Sequence, residues 1–133
     1  MSERLIVEFY DSRGGAKPLI SVLAYYGGDE PEAAAYTLVA FFSLIACLKD
    51  PRFDEPGILA ARFIHWMGHE CIRSEALCDF DGVEIIRDSS RYTDYLTARV
   101  YPRPSGPLVK FVDDSRNTPE EFRVAEAIAN RTW

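Results

Sequence analysis

An apolar segment in the first half of the chain constrains the fold most. It reads AAAYTLVAFFSLIACL, residues 33–48, and has no charged side chain. Wound at about 100° per residue, its apolar side chains appear on every side, which is typical of a helix covered all round. The segment is shorter than the ~20 residues needed to span a bilayer, and it includes Thr37 and Ser43. We therefore expect a central buried helix, begun by Asp29-Glu30-Pro31 and ended by Lys49-Asp50-Pro51, and no membrane contact.

Runs of β-branched and aromatic residues predict the sheet that covers this helix. Short connections, DSSR and PRPSGP, separate the last three runs and favour an antiparallel meander. The predicted strands are residues 4–10, 83–87, 92–101 and 108–112. The predicted fold class is α+β: an antiparallel β-meander of three C-terminal strands plus an N-terminal strand, packed against the buried helix and two or three amphipathic helices.

Two of the amphipathic helices have clear signals. Residues 57–73 place their apolar side chains on one broad arc. In TPEEFRVAEAIANR, residues 118–131, Thr118 is an N-cap and Glu121 completes a capping box. Both segments are predicted to be helical.

Residues 17–26, KPLISVLAYY, are ambiguous. Pro18 near a helix start and Gly27-Gly28 after its end suit a helix. The β-branched and aromatic content suits a hairpin strand equally well. We favour a helix.

Composition bounds the function classes. A chain of 133 residues forms one domain, residues 1–133, and its formal charge of −6 disfavours nucleic acid and anionic membranes as partners. Its three cysteines are an odd number with no CxxC pair, which argues against a disulfide framework or a zinc ribbon. The N-terminal MSERLIVEFYD lacks the apolar core of a secretory signal. We expect a cytoplasmic, thiol-reduced protein.

Both histidines, His65 and His69, lie four residues apart on the predicted helix 57–73. This spacing puts them on one face, as in zinc-binding helices, but Arg62 and Arg73 flank them and would repel a cation. We predict a solvated helix face and no metal. The alternative is a basic stripe formed by these four side chains that contacts an anion or an acidic partner surface.

The run YTDYLTARVY, residues 92–101, alternates between two kinds of side chain. Leu96, Ala98 and Val100 form the better core set, so the other set faces outward. That outward set contains Tyr95, Arg99 and Tyr101, extended by Lys110 and Arg103, and tyrosine and arginine are favoured in protein-binding surfaces. We predict partner contact there; the alternative is a half-solvated sheet face with ordinary cross-strand tyrosine and threonine pairs.

The run DFDGV, residues 79–83, is similar to the first motif of haloacid-dehalogenase-type phosphatases. The resemblance implies Asp79 as the nucleophile and Asp81 as the general acid. However, that family has a buried strand before the first aspartate and alternating helices and parallel strands after it, and neither is predicted here. We interpret the run as a polar turn.

The sequence thus predicts a small acidic protein that binds a protein partner or itself, without catalysis or cofactor, its acids meeting a basic partner. The alternative is a binder of a small anionic ligand, or a hydrolase, that uses Arg62, His65 and His69 with Asp79 or Asp81. A binding module should lose partner affinity on Tyr95→Ala or Tyr101→Ala and tolerate Asp79→Asn and His65→Ala. An enzyme should bring at least two of these ionisable groups together in a deep pocket.

Overall fold

A computed structural model describes residues 4–11, 15, 17–24, 31–73, 83–87, 96–103, 106–112 and 120–123. Within these residues the elements are β1 (Leu5–Phe9), β2 (Ile20–Ala24), α1 (Pro31–Ala46), α2 (Pro56–Arg73), β3 (Val83–Ile86), β4 (Leu96–Tyr101), β5 (Leu108–Val112) and β6 (Glu120–Arg123). Two helices and a sheet that is not closed confirm the predicted α+β class.

The strands form one mixed sheet in the order β3-β2-β1-β4-β5-β6. Its central contact is the parallel pair β1–β4, in which Leu5 lies opposite Leu96. The other neighbours are antiparallel, and the β4–β5 pair is as the meander prediction expects.

The meander prediction is wrong for β3, which pairs with β2 rather than with β4. Helix α2 contacts β1, β2 and β3. Helix α2, which precedes β3 in the chain, thus lies against the half of the sheet to which β3 belongs. Strands β3 and β4 are close in the sequence, but β2 and β1 lie between them in the sheet.

The helix predicted for residues 17–26 is wrong over Ile20–Ala24, which is strand β2. Val22 and Ala24 pack into the helix-covered core, whereas Ser21 and Leu23 are buried on the opposite face. A strand buried on both faces shows no alternation of apolar and polar residues, so its periodicity resembles that of a buried helix. Backbone pairing with β1 and β3 decides its conformation.

The helix predicted for residues 118–131 is wrong over Glu120–Arg123, which is strand β6. Glu120 lies opposite Phe111 and Phe122 lies opposite Val109 on β5. The capping box is a local preference worth little against pairing with an existing strand. The rest of that prediction lies outside the described residues.

Both helices share one apolar core with the sheet, and Phe63 of α2 lies near its centre. The Phe63 ring centroid is 5.2 Å from that of Phe41 on α1 and 5.9 Å from that of Phe9 on β1. The core side chains of the helices are Ala34, Leu38, Phe41, Phe42, Ile45, Leu59, Ala60, Phe63 and Met67. Aromatic contacts therefore join both helices to the central strand.

The sequence predicts that α1 is covered on every side, and this prediction is wrong. Leu44 is 54% exposed, and Ala40 is also exposed. Leu38, Phe41 and Phe42 on its other sides are fully buried. The apolar residues of α1 thus exceed what the core uses, and part of them forms surface.

We predict that Phe63→Ala lowers the free energy of unfolding by about 3–5 kcal/mol, because it leaves a cavity between both helices and β1. Urea denaturation followed by circular dichroism measures this change. Leu19→Ala is the control, since Leu19 is 58% exposed, and it should change stability by less than about 0.5 kcal/mol. Equal effects of the two substitutions would contradict the described core.

Candidate functional site

The sheet has two chemically different faces. On β4, Leu96, Ala98 and Val100 belong to the core beneath the helices. Thr97, Arg99 and Tyr101 alternate with them and therefore lie on the opposite face. The structure thus places Arg99 and Tyr101 on the outward set that alternation predicts, and their contact with a partner stays a prediction.

A partly buried ion pair lies on this opposite face. Glu8 of β1 is only 4% exposed, and Arg99 is its parallel partner on β4. Arg99 Nε donates to Glu8 Oε1 at 3.1 Å, and the Tyr10 hydroxyl donates to the same oxygen at 3.2 Å. A buried carboxylate without hydrogen-bond donors would be strongly destabilising, and these two donors compensate the burial of Glu8.

Two tyrosines stack beside the ion pair. The Tyr10 and Tyr101 ring centroids are 4.7 Å apart, with 22° between the ring planes. Lys110 Nζ of β5 lies over the Tyr101 ring, 5.7 Å from its centroid, which is within cation–π range. Stacking and cation–π contact together restrict the orientation of Tyr101.

We call Glu8, Tyr10, Arg99, Tyr101 and Lys110 the sheet-face cluster. Lys110 lies opposite Arg99 across the β4–β5 pair. One acid and two bases leave the cluster with a formal charge of +1, on a chain whose formal charge is −6. Arg99 keeps 41% of its side chain exposed, so part of its guanidinium is accessible to a partner although it pairs with Glu8.

The predicted helix stripe is only partly available for binding. His65 and His69 are exposed on α2, whereas Arg62 is half-buried. Arg62 Nη1 donates to the backbone carbonyl of Pro51 at 2.7 Å, so the guanidinium also fixes the loop before α2. Of Arg73 the structure describes the backbone, as the last residue of α2, and not the side chain.

Arg62 and His65 also border a groove between the two helices. Its volume is about 360 Å³, and its lining is otherwise apolar. The lining residues are Phe41, Leu44, Ile45, Leu48, Ala61, Arg62, His65 and Trp66. Sequence reasoning missed this groove because it predicted α1 to be covered all round.

Sequence reasoning also missed Glu8 and Tyr10. The available signal was Glu8 itself, a single charge inside the apolar strand LIVEF. Tyr95, Asp79 and Asp81 lie outside the described residues. In the ranges that are described, no three histidine, cysteine, aspartate or glutamate residues come together as metal ligands.

Comparison with known proteins gives no match: no family model fits the sequence, and no curated protein or solved structure is significantly similar to the chain. Neither α1 nor α2, the helices in the part of the chain that the structure describes, is long and apolar enough to cross a membrane. The site is therefore interpreted from its own chemistry.

Burial, followed by the nearby charge of Glu8, raises the pKa of Tyr10 to about 12. An unfolded tyrosine has a pKa of about 10, so the folded state holds this proton more tightly. Between about pH 10 and pH 12 the unfolded state binds fewer protons, and the free energy of unfolding falls as pH rises.

We predict that Tyr10→Phe removes the part of the tyrosinate absorbance that appears at the highest pH, near pH 12. The same substitution should make the free energy of unfolding fall less steeply between about pH 10 and pH 12. Ultraviolet titration and urea denaturation measure the two effects. Glu8→Gln should lower the pKa of Tyr10 but leave it above 10, because burial remains. A Tyr10 that titrates near 10 in the wild-type protein would rule out the described contacts.

Proposed function

We propose that this protein binds another protein through the sheet-face cluster, without chemical turnover. The observation that carries the proposal is the ordered group formed by Tyr101, Arg99 and Lys110 on a half-solvated sheet face. Tyrosine and arginine are the residue types that most often dominate binding energy in protein interfaces. Here they lie together on rigid strands.

Preorganisation supports this function. Binding normally costs side-chain entropy, about 0.5–1.5 kcal/mol for each flexible side chain that becomes fixed. Tyr101 stacks on Tyr10 and has a cation–π contact with Lys110. Arg99 donates a hydrogen bond to Glu8. A partner would therefore meet side chains that have already lost much of their freedom.

The local charge specifies the partner more closely than the overall charge does. The whole chain is acidic and attracts basic surfaces at a distance. The five residues of the cluster carry a formal charge of +1, and the exposed Arg103 lies two residues after the end of β4. We infer that the contacting segment of the partner carries carboxylates, which can accept hydrogen bonds from Arg99 and Lys110.

The test compares variants of the tagged protein in extracts of its own host. Tyr101→Ala removes the aromatic anchor, and Lys110→Glu reverses a charge of the cluster. Thr97→Ala is the matched control on the same strand and the same face. Proteins recovered with each variant are quantified by mass spectrometry, and circular dichroism checks that every variant is folded.

We expect a partner that is recovered with the wild-type protein and with Thr97→Ala. Its affinity, measured by calorimetry with the purified partner, should fall at least about tenfold with Tyr101→Ala and with Lys110→Glu. A partner that binds all four proteins equally would overturn the proposal. So would native mass spectra that show a bound metal or small ligand and no macromolecule.

A further inference from the structure

We propose a second binding site, in the groove between α1 and α2, that takes an amphipathic helix of a partner protein carrying acidic residues beside its apolar face. The groove belongs to the helix layer, whereas the sheet-face cluster lies on the other face of the sheet. The proposal is therefore independent of the function proposed above.

The outer wall of the groove consists of two exposed leucines. Leu44 is 54% exposed and Leu48 is 45% exposed. Backbone hydrogen bonds from Cys47 N to the Leu44 carbonyl and from Leu48 N to the Ile45 carbonyl continue the helical turn past the end of α1. These bonds hold both leucines on fixed backbone, although their side chains remain in water.

The inner wall is aromatic and packed. The Phe41 ring centroid lies 5.5 Å from that of Trp66 and 5.2 Å from that of Phe63. Phe41 and Phe63 are buried, whereas Trp66 is partly exposed beside the groove. A ligand would therefore enter a preformed apolar surface with little rearrangement.

The charge of the groove selects among occupants. Arg62 and His65 are its only ionisable lining residues among those the structure describes. A two-fold contact with a second copy would bring the Arg62 guanidinium groups of both copies to the same contact, which disfavours self-association there. Carboxylates on a different protein would instead be attracted to them.

The shape of the groove favours a helix over a small ligand. A ligand that filled the volume of about 360 Å³ between the walls would leave Leu44 and Leu48 partly in water. A helix with apolar side chains at positions i, i+3 or i+4, and i+7 covers both the groove and its rim. Glutamates or aspartates flanking that apolar face would reach Arg62 or His65.

The probe is a displayed library of helical peptides with fixed leucines at i, i+4 and i+7 and with the flanking positions randomised. The chain contains two tryptophans, so Trp133→Phe leaves Trp66 as the single reporter. We expect selected peptides to be enriched in aspartate and glutamate at the flanks and to shift the Trp66 emission to shorter wavelength. No binder, binders enriched in lysine or arginine, or unchanged emission would each overturn the proposal.

Variants then locate the binding. Leu44→Glu should lower the affinity of the best peptide at least about tenfold, because it places a negative charge against the apolar face of the peptide. His65→Glu should lower that affinity several-fold, because it places a negative charge against the acidic flank of the peptide. Leu19→Glu is the matched control, since Leu19 is 58% exposed and outside the groove. Equal losses with Leu44→Glu and Leu19→Glu would refute the site.

The same peptide separates this proposal from the earlier one. Tyr101→Ala changes the sheet-face cluster and should leave peptide affinity within about twofold of the wild-type value. A peptide that no longer binds the Tyr101→Ala variant but still binds the Leu44→Glu variant would bind on the sheet face. That result would overturn the groove site and leave the proposed function standing.

Discussion

The parallel pairing of β1 with β4 joins the two halves of the sheet, and the ion pair between Glu8 and Arg99 lies across it. Strand β1 is central, and even its one charged side chain is almost completely buried. Within the described strands, the parallel pair β1–β4 is the junction between the β3-β2-β1 and β4-β5-β6 halves. Removal of Arg99 would leave a buried carboxylate at that junction, whereas the intact pair also orients Tyr10 and, by stacking, Tyr101.

The fold was predictable where burial differs between the two sides of an element. Strand β4 alternates cleanly because one face is core and the other is half-solvated, and α2 shows its apolar arc for the same reason. Strand β2 shows no such difference, because both of its faces are buried, and its sequence pattern therefore resembles that of a buried helix. The segment that forms β6 carries a local helix-capping signal, whereas its strand conformation depends on pairing with β5, which no local signal encodes.

The site was predictable only in part. Alternation identifies Arg99 and Tyr101, since their neighbours on β4 are apolar. Glu8 and Tyr10 join them through a parallel pairing between strands that are distant in sequence, and no local pattern encodes such a pairing. The groove was missed for a related reason, because the exposed side of α1 depends on how α1 meets α2 and the sheet.

The separation between Glu8 and Arg99, 91 residues along the chain, also matters during synthesis. At roughly 5–20 residues per second, β1 leaves the ribosome on the order of 5–20 s before β4 does. During that interval the edge of β1 is unpaired, and an apolar strand edge is a template for association between nascent chains. Glu8 places a charge near the end of that strand, which opposes such association until Arg99 arrives. We therefore expect the residue whose charge the folded sheet compensates to oppose association of its central strand beforehand.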